Sequence, residues 1–387
     1  MKIANRRFLA LLLCLVLLAG CQPDQEVNAL PPHTLLVYLG CDNNLSDEVA
    51  ARMDALAQGF RGQQGNLLVY QDAVGAGGVP QLWQLHANGQ RELVATYPEE
   101  NSASGEVLRR VLGSVVSMYP SKSYGLLMFS HGSGWLPTGM LARPKSVVLD
   151  GSREMEIAEL AAALPDGLLS YIAFEACYMS SVEVAYELRK KATYIVASSA
   201  EIVAPGFTPI YPSSLKHLFG GPAGLCSFAK SYFDYWNGQQ GFYQSATVSV
   251  VRTAHLDSLA CYTAQSLQQG VSPQGVVGVQ RFDRSASSGL VFDLESYVQR
   301  AASNTRSYTN FKRMLDSSVV YRQSTRHFLY GYGGFSISNH CGLTVYVPQA
   351  AYPQLNGWHA STSWSRALQL YGGTTAARTE ERELYTE

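Results

Sequence analysis

The feature that most constrains the fold is the alternation of short apolar segments with helix-like segments over the amino-terminal half of the chain. Four continuous apolar, β-rich segments predict buried strands at Thr34–Gly40, Tyr124–Ser130, Leu169–Phe174 and Tyr194–Ser199. The segments between them repeat apolar residues at helical spacing, as residues 103–118 do. Strands that alternate with helices predict an α/β fold with a mostly parallel central sheet flanked by helices.

Shorter elements complete this arrangement. Strands are also predicted at Asn66–Gln71 and, at the edge of the sheet, Gln81–His86, and helices at 49–60, Met155–Leu164 and Ser180–Lys190. After residue 210 the pattern is mixed, with helices predicted at Leu225–Tyr235, Leu256–Gln268, Asp293–Ala301 and Tyr308–Ser318, and strands at Ser245–Val251 and Gly342–Val347. The carboxyl-terminal part is therefore expected to be additional mixed α/β structure, with Gln269–Ser288 as a long mobile connection.

The first 21 residues have the pattern of an export signal. Three cations, Lys2, Arg6 and Arg7, precede the apolar run Phe8–Leu18. A basic start, an apolar stretch of this length and small residues before a cleavage site describe a secretory signal, and the run is short for a membrane span. Leu18-Ala19-Gly20-Cys21 resembles the lipobox of bacterial lipoproteins, in which the cysteine is lipidated. We therefore expect an exported, membrane-anchored lipoprotein; the alternatives are a simple cleaved signal or an uncleaved anchor.

Composition excludes several classes of protein. Lys and Arg number 29 against 30 Asp and Glu, a formal net charge of −1, so a nucleic-acid partner is not expected. A hydrophobic content of 47% excludes a mainly disordered chain. The cysteines lack paired CxxC spacing, so no metal site is expected. Five cysteines remain after the signal and Cys21 are set aside, and this odd number leaves a thiol as a candidate nucleophile; the other four allow three disulfide pairings or none.

Two residues at the ends of predicted strands suggest cysteine chemistry. His131 follows the strand Tyr124–Ser130, and Cys177 follows Leu169–Phe174. Ligands of open α/β sheets bind beyond the carboxyl ends of the strands, so both side chains are expected at one rim. The helix after Cys177 is expected to lower the thiol pKa. His131 would act as general base and then acid, and the N–H groups of Gly132 and Cys177 would bind the oxyanion.

The same residues carry a family resemblance. Phe129-Ser-His-Gly-Ser-Gly-Trp135 and Glu175-Ala-Cys-Tyr-Met-Ser180 resemble the two active-site blocks of the clostripain family of cysteine peptidases, which belongs to the caspase, gingipain and legumain clan. The opening segment Leu36–Leu45 and the later blocks Ala197–Ser199, Pro205–Phe207, Gly342–Pro348 and Thr362–Trp364 resemble further parts of that family. The resemblance spans roughly residues 34–371. It divides the chain into a signal peptide (1–20), a tether (21–33), a clostripain-like domain (34–372) and a polar tail (373–387).

The resemblance implies a caspase-like sheet and a His131–Cys177 dyad that hydrolyses peptide bonds after Arg or Lys. Family members usually have Asp two residues before the nucleophile to bind the basic side chain, whereas this chain has Glu175. Trp135 is expected either as a hydrophobic plug or as a wall for substrate, and Ser198 as a further substrate-binding residue. No cofactor is expected; relatives can be stimulated by calcium, but no EF-hand-like run of ligands is present.

Self-cleavage between the two catalytic blocks is a further expectation, because some relatives mature in this way. The loop offers Lys145 as the preferred site, Arg153 as the second and Arg143, which precedes Pro144, as the third; a loop that is never cut is the alternative.

Two other functions stay open at this point. One is a catalytically silent surface lipoprotein that binds peptide or glycan, and the other is an amidase with the same Cys-His pair.

Overall fold

A nine-stranded mixed sheet forms the centre of the protein. It is seen in a computed structural model that describes residues 30–73, 79–137, 148–151, 153–267, 276–284, 289–302 and 305–372. The strands are β1 (Thr34–Cys41), β2 (Asn66–Ala73), β3 (Gln81–Leu85), β4 (Arg91–Thr96), β5 (Tyr124–Phe129), β6 (Val148–Asp150), β7 (Arg153–Met155), β8 (Leu169–Glu175), β9 (Ala192–Ala197), β10 (Thr247–Arg252), β11 (Phe292–Asp293), β12 (Val319–Ser324), β13 (His327–Phe328), β14 (Phe335–Ser336) and β15 (Thr344–Val345).

The order of the strands places the ends of three of them side by side. The sheet runs β12-β10-β9-β8-β5-β1-β2-β3-β4. Its five middle strands, from β9 to β2, pair in parallel, and the two strands on each side pair antiparallel. The pairs β11–β15, β13–β14 and β6–β7 form small separate ribbons. Because β8, β5 and β1 are parallel neighbours, the loops at their carboxyl ends meet at one rim.

Helices cover both faces of this sheet. In the described chain the α-helices of four or more residues are Val49–Phe60, Gly105–Met118, Ile157–Ala163, Val182–Glu187, Tyr211–Ser214, Gly221–Asn237, Leu256–Leu267, Leu294–Ala301, Thr305–Ser318 and Pro353–Ala360, and residues 363–372 are also helical. The side chains of β1 alternate between two buried clusters, Leu36 and Tyr38 on one face and Leu35 and Val37 on the other. This two-sided burial explains why the middle strands are continuous apolar runs instead of alternating ones.

The predicted fold class is confirmed, and two edge strands correct its details. Gln81–His86 was expected at the edge, but β3 is covered by β4, which the sequence pattern did not reveal because most of its residues are exposed. At the opposite edge lies β12, whose sequence VVYRQS is apolar only in its first half. The mixed carboxyl-terminal part contributes β10 and β12 to the main sheet.

Four predicted regions fall wholly or partly on residues that the structure does not describe. The signal peptide, Cys21 and most of the tether precede residue 30, and the tail lies after residue 372. The predicted connection 269–288 is described only over 276–284. Over the described ranges, no helix is both long and apolar enough to cross a membrane.

Candidate active site

The two predicted catalytic residues lie in loops at the carboxyl ends of neighbouring strands. His131 is two residues beyond the end of β5, and Cys177 is two residues beyond the end of β8. The strands pair in parallel up to Phe129 and Glu175. Both side chains line one open cavity of about 360 Å³. The sheet topology therefore brings together residues that are far apart in the sequence.

Gly132 holds the two loops close to one another. A Cβ atom at this position would lie 2.6 Å from the carbonyl oxygen of Cys177, 2.8 Å from Cβ of Ala176 and 2.9 Å from the Cys177 nitrogen. These distances are too short for any side chain, so glycine is required by the contact between the loops. In the described chain the N–H of Gly132 donates no hydrogen bond, which leaves it available to an oxyanion.

Asn44 orients the imidazole of His131. Its Oδ1 lies 2.8 Å from Nε2 of His131. An amide oxygen only accepts, so Nε2 carries a proton, and in the neutral ring Nδ1 is the basic nitrogen. No role was expected for Asn44 from the sequence. The only sequence signal was its place in the loop after β1, which borders β5 in the sheet.

The environment of Cys177 differs from the expected one in one respect. The next helix begins only at Val182, with Ser181 as its cap, so three residues separate Cys177 from that cap. Tyr178, with φ of 62°, turns the chain away from helical geometry. The expected effect of a helix dipole on the thiol is therefore weak, since that effect falls off within one turn. Instead, the Ile202 N–H donates to Sγ at 3.3 Å, and such a donor favours the thiolate.

Glu175 lines the cavity, but its carboxylate is bound within the protein. Oε1 accepts from Nη2 of Arg52 at 2.8 Å and from the Phe207 N–H at 2.5 Å. Oε2 accepts from the Tyr211 hydroxyl at 2.6 Å and from Nε of Arg52 at 3.4 Å. Both side chains of the Arg52–Glu175 ion pair have an exposed fraction of 0%. The expectation that Glu175 itself binds a substrate's basic side chain stays a prediction, and these contacts do not favour it.

Arg52 belongs to this buried arrangement in two ways. Burial alone lowers the pKa of its guanidinium, but the charge and hydrogen bonds of Glu175 outweigh burial and raise the pKa above its usual value. Its guanidinium carbon also lies 3.4 Å from the centre of the Phe129 ring. Arg52 is therefore a charged residue fixed under the wall of the cavity. Nothing in the local sequence of the helix Val49–Phe60 indicated this role.

Two other predicted site residues are not brought to the cavity that holds Cys177. Trp135 is 8% exposed and packs against Tyr346 and His359, with ring centres 5.3 Å and 5.1 Å away. Trp135 therefore packs in an aromatic cluster and lines a second cavity, and its role stays a prediction. Ser198 is 1% exposed, and its hydroxyl hydrogen-bonds that of Thr247 at 2.8 Å.

The predicted self-cleavage residues lie on both sides of the described boundary. Arg143 and Lys145 are outside the described residues. Arg153 begins β7, and its guanidinium donates to Glu159 at 2.9 Å. The next residue, Glu154, is buried and pairs with Leu149, so the bond after Arg153 lies within a short ribbon and not in an open loop.

The remaining chemistry of the described chain is limited. None of its five cysteines forms a disulfide. Burial raises the pKa of the Cys41 thiol, which makes this buried cysteine a poor nucleophile. In the part of the chain that the structure describes, no group of three or more His, Cys, Asp or Glu side chains is placed to hold a metal ion.

A cysteine and an oriented histidine that face one cavity at the rim of a parallel sheet define the class of cysteine hydrolases. The comparisons with known proteins place the chain within that class. The model of the clostripain family of peptidases matches residues 37–351, so the chain belongs to the clostripain family. The predicted family and the predicted enzyme class, a cysteine peptidase, are confirmed. The comparison with curated protein sequences gave no match.

Solved structures agree with this assignment. The chain is similar to an inactive zymogen C11 protease from Parabacteroides distasonis, at 31% identity and a TM-score of 0.77, over 88% of this chain and 99% of that one. A secreted C11 cysteine protease from Bacteroides thetaiotaomicron, solved with an irreversible peptide inhibitor, has 26% identity and a TM-score of 0.75, over 87% and 98% of the two chains. A cysteine protease of B. fragilis matches at 28% identity and a TM-score of 0.52, over 58% and 97%.

Proposed function

We propose that this protein is a lipid-anchored endopeptidase that uses a His131–Cys177 dyad to cleave peptide bonds after Arg or Lys. The observation that carries the proposal is the shared cavity in which both residues lie. Asn44 fixes the imidazole through Nε2, and the Ile202 N–H points at the sulfur. A peptide substrate is supported by the B. thetaiotaomicron relative, which was solved with a peptide inhibitor.

The residues can carry out the reaction in two steps. The Cys177 thiolate attacks the scissile carbonyl carbon, and the new oxyanion accepts hydrogen bonds from the N–H groups of Gly132 and Cys177. His131, protonated after taking the thiol proton, gives this proton to the departing amine as the C–N bond breaks. A water molecule then gives a proton to His131 and attacks the thioester carbon. The C–S bond breaks, the acid product leaves, and His131 returns the proton to the sulfur.

The charge of the cavity supports a basic residue before the cleaved bond. Three glutamates line the cavity, Glu48, Glu175 and Glu201, together with one arginine, Arg284. Arg52, buried behind Glu175, brings the balance to three negative and two positive groups. A site with an excess of negative charge favours a cationic side chain over a neutral or acidic one.

Peptides that differ only at the residue before the cleaved bond test this function and its rivals. The proposal expects cleavage of the Arg and Lys peptides well above the norleucine and Glu peptides. Iodoacetamide is expected to inactivate the enzyme, and the fraction of Cys177 labelled, measured by mass spectrometry, is expected to equal the fraction of activity lost. Binding of these peptides without cleavage would indicate the silent surface lipoprotein. Release of ammonia from amide substrates with no internal cleavage would indicate the amidase.

The lipid anchor rests on the sequence Leu18-Ala19-Gly20-Cys21. The protein is expected in the bacterial cell envelope, with a lipidated Cys21 as its first residue after cleavage. Mass spectrometry of the amino-terminal peptide from a membrane fraction measures this directly. A Cys21→Ser variant is expected to leave the membrane fraction, and a wild-type chain with an unmodified Cys21 would contradict the anchor.

Self-cleavage at the Lys145–Ser146 bond is proposed as the maturation step. The similarity to a protease solved as an inactive zymogen supports a processing step, and the position of Arg153 in a ribbon makes its bond the weaker candidate. Purified wild-type protein is expected to give two fragments that Cys177→Ala does not give. A fully active chain that stays uncut on long incubation would contradict this step alone.

A further inference from the structure

The cavity at Cys177 contains three carboxylates, and the structure distinguishes them by what each already binds. A substrate's cation can pair only with a carboxylate that is reachable from the cavity and has oxygen lone pairs to spare. Glu175, Glu48 and Glu201 line the same cavity as Cys177 and His131, so all three satisfy the requirement of proximity. Their partners and exposure decide between them.

Glu175 is neither reachable from the cavity nor free to accept further hydrogen bonds. Its side chain is 0% exposed, and its two oxygens accept from Arg52, the Phe207 N–H and the Tyr211 hydroxyl. A substrate cation would have to displace Arg52, whose own side chain is also 0% exposed and would then be left buried without its counterion. Removing one partner from a buried ion pair is strongly unfavourable.

Glu201 is also engaged. Its two oxygens accept a two-pronged hydrogen bond from Arg284, at 2.8 Å to Nε and 3.0 Å to Nη2. The hydrogen bonds with Glu201 raise the pKa of Arg284, so the guanidinium stays charged and offsets the charge of Glu201. An arriving cation would compete with a guanidinium that is already in the preferred geometry.

Glu48 is the carboxylate that is left. It stands at the start of the helix Val49–Phe60, and its side chain is 26% exposed. Among the described residues, Arg52 is the hydrogen-bond partner of Oε2, at the long distance of 3.4 Å. Within the described residues no hydrogen bond reaches Oε1. Because Arg52 and Glu175 cancel, and Arg284 and Glu201 cancel, the net negative charge of the cavity is that of Glu48.

We infer that Glu48, and not Glu175, is the residue that selects Arg or Lys before the cleaved bond. This inference rests on the proposed function of the His131–Cys177 site. The substrate's guanidinium or ammonium group binds the Glu48 carboxylate at the mouth of the cavity. Arg52 positions Glu48 from behind and keeps Glu175 neutralised. Glu175 then acts as a structural counterion, although it occupies the place where the family usually has the residue that recognises the basic side chain.

The test compares two isosteric variants, Glu48→Gln and Glu175→Gln, with Glu92→Gln as a control at an exposed position outside the cavity. The measurement is kcat/KM for peptides with Arg, Lys or norleucine before the cleaved bond. For Glu48→Gln, the ratio of Arg to norleucine cleavage is expected to fall about 10- to 100-fold, as expected when a charge-assisted hydrogen bond is lost. Glu48→Asp is expected to restore part of the preference.

Glu175→Gln is expected to lower the thermal stability and to reduce cleavage of the Arg and norleucine peptides by the same factor. A ratio that falls in Glu175→Gln and is unchanged in Glu48→Gln would overturn the inference. A wild-type enzyme that cleaves the norleucine peptide as well as the Arg peptide would also overturn it. Failure of the proposed function is separate, because it shows as full turnover in Cys177→Ala with any of the peptides.

Discussion

The buried ion pair between Arg52 and Glu175 leads to a prediction about stability. The two side chains are 0% exposed, and Nη2 of Arg52 lies 2.8 Å from Oε1 of Glu175. Arg52→Met leaves the carboxylate buried with only the Phe207 N–H and the Tyr211 hydroxyl as donors. Loss of one partner of such a pair costs about 3–5 kcal/mol, so we expect the free energy of unfolding to fall by that amount.

The assay is urea denaturation followed by intrinsic fluorescence, with the double variant Arg52→Met/Glu175→Leu measured in parallel. The double variant is expected to recover most of the loss, since it leaves no uncompensated buried charge. Lys230→Met is the matched control, because it breaks an ion pair with Asp234 in which the side chains are 62% and 53% exposed. It is expected to cost less than about 1 kcal/mol. Equal, small losses for Arg52→Met and Lys230→Met would refute the reasoning.

Three further predictions concern single residues. Asn44→Ala is expected to lower kcat about 10- to 100-fold with little change in KM, because His131 loses its orienting partner. The pH–rate profile is expected to change as well, and an unchanged profile would contradict the assignment of the proton to Nε2. Gly132→Ala is expected to abolish turnover, because its Cβ would lie 2.6 Å from the Cys177 carbonyl oxygen. An active Gly132→Ala enzyme would show that the His131 and Cys177 loops are not in contact. Burial lowers the pKa of His33 from 6.5 to about 4, so its contribution to stability is present above pH 6.5 and is lost as the pH falls through 4. His33→Asn is expected to reduce the acid-induced loss in the free energy of unfolding by about 3 kcal/mol. The same pH dependence of unfolding in both proteins would contradict this prediction.

The elements that could be predicted from the sequence are those whose residue pattern is visible within a short stretch of the chain. The middle strands are buried on both faces, so β1 and β5 are continuous apolar runs, and this pattern predicts strands from the sequence alone. The parallel topology then places the residues after β5 and β8 at one rim. The edge strand β4 lacked such a run, because four of its six residues are exposed and only Val94 and Ala95 pack against the described core.

The parts that could not be predicted depend on contacts between distant segments. Arg52 and Glu175 are 123 positions apart, and Asn44 and His131 are 87 apart. Arg52 lies in an otherwise ordinary amphipathic helix, and its burial follows only from the way this helix packs beneath the cavity. For this reason a sequence comparison transfers a specificity role to Glu175, whereas the structure shows its carboxylate bound to an internal cation.

The central claim is that Cys177 and His131 act together as the catalytic pair. Its most direct test is the turnover of one Arg-containing peptide by wild-type protein, Cys177→Ala and His131→Ala, with circular dichroism to show that each variant is folded. We expect both variants to lose activity by several orders of magnitude, because residues that act as a unit fail together. A folded Cys177→Ala protein that cleaves the peptide at the wild-type rate would contradict the account.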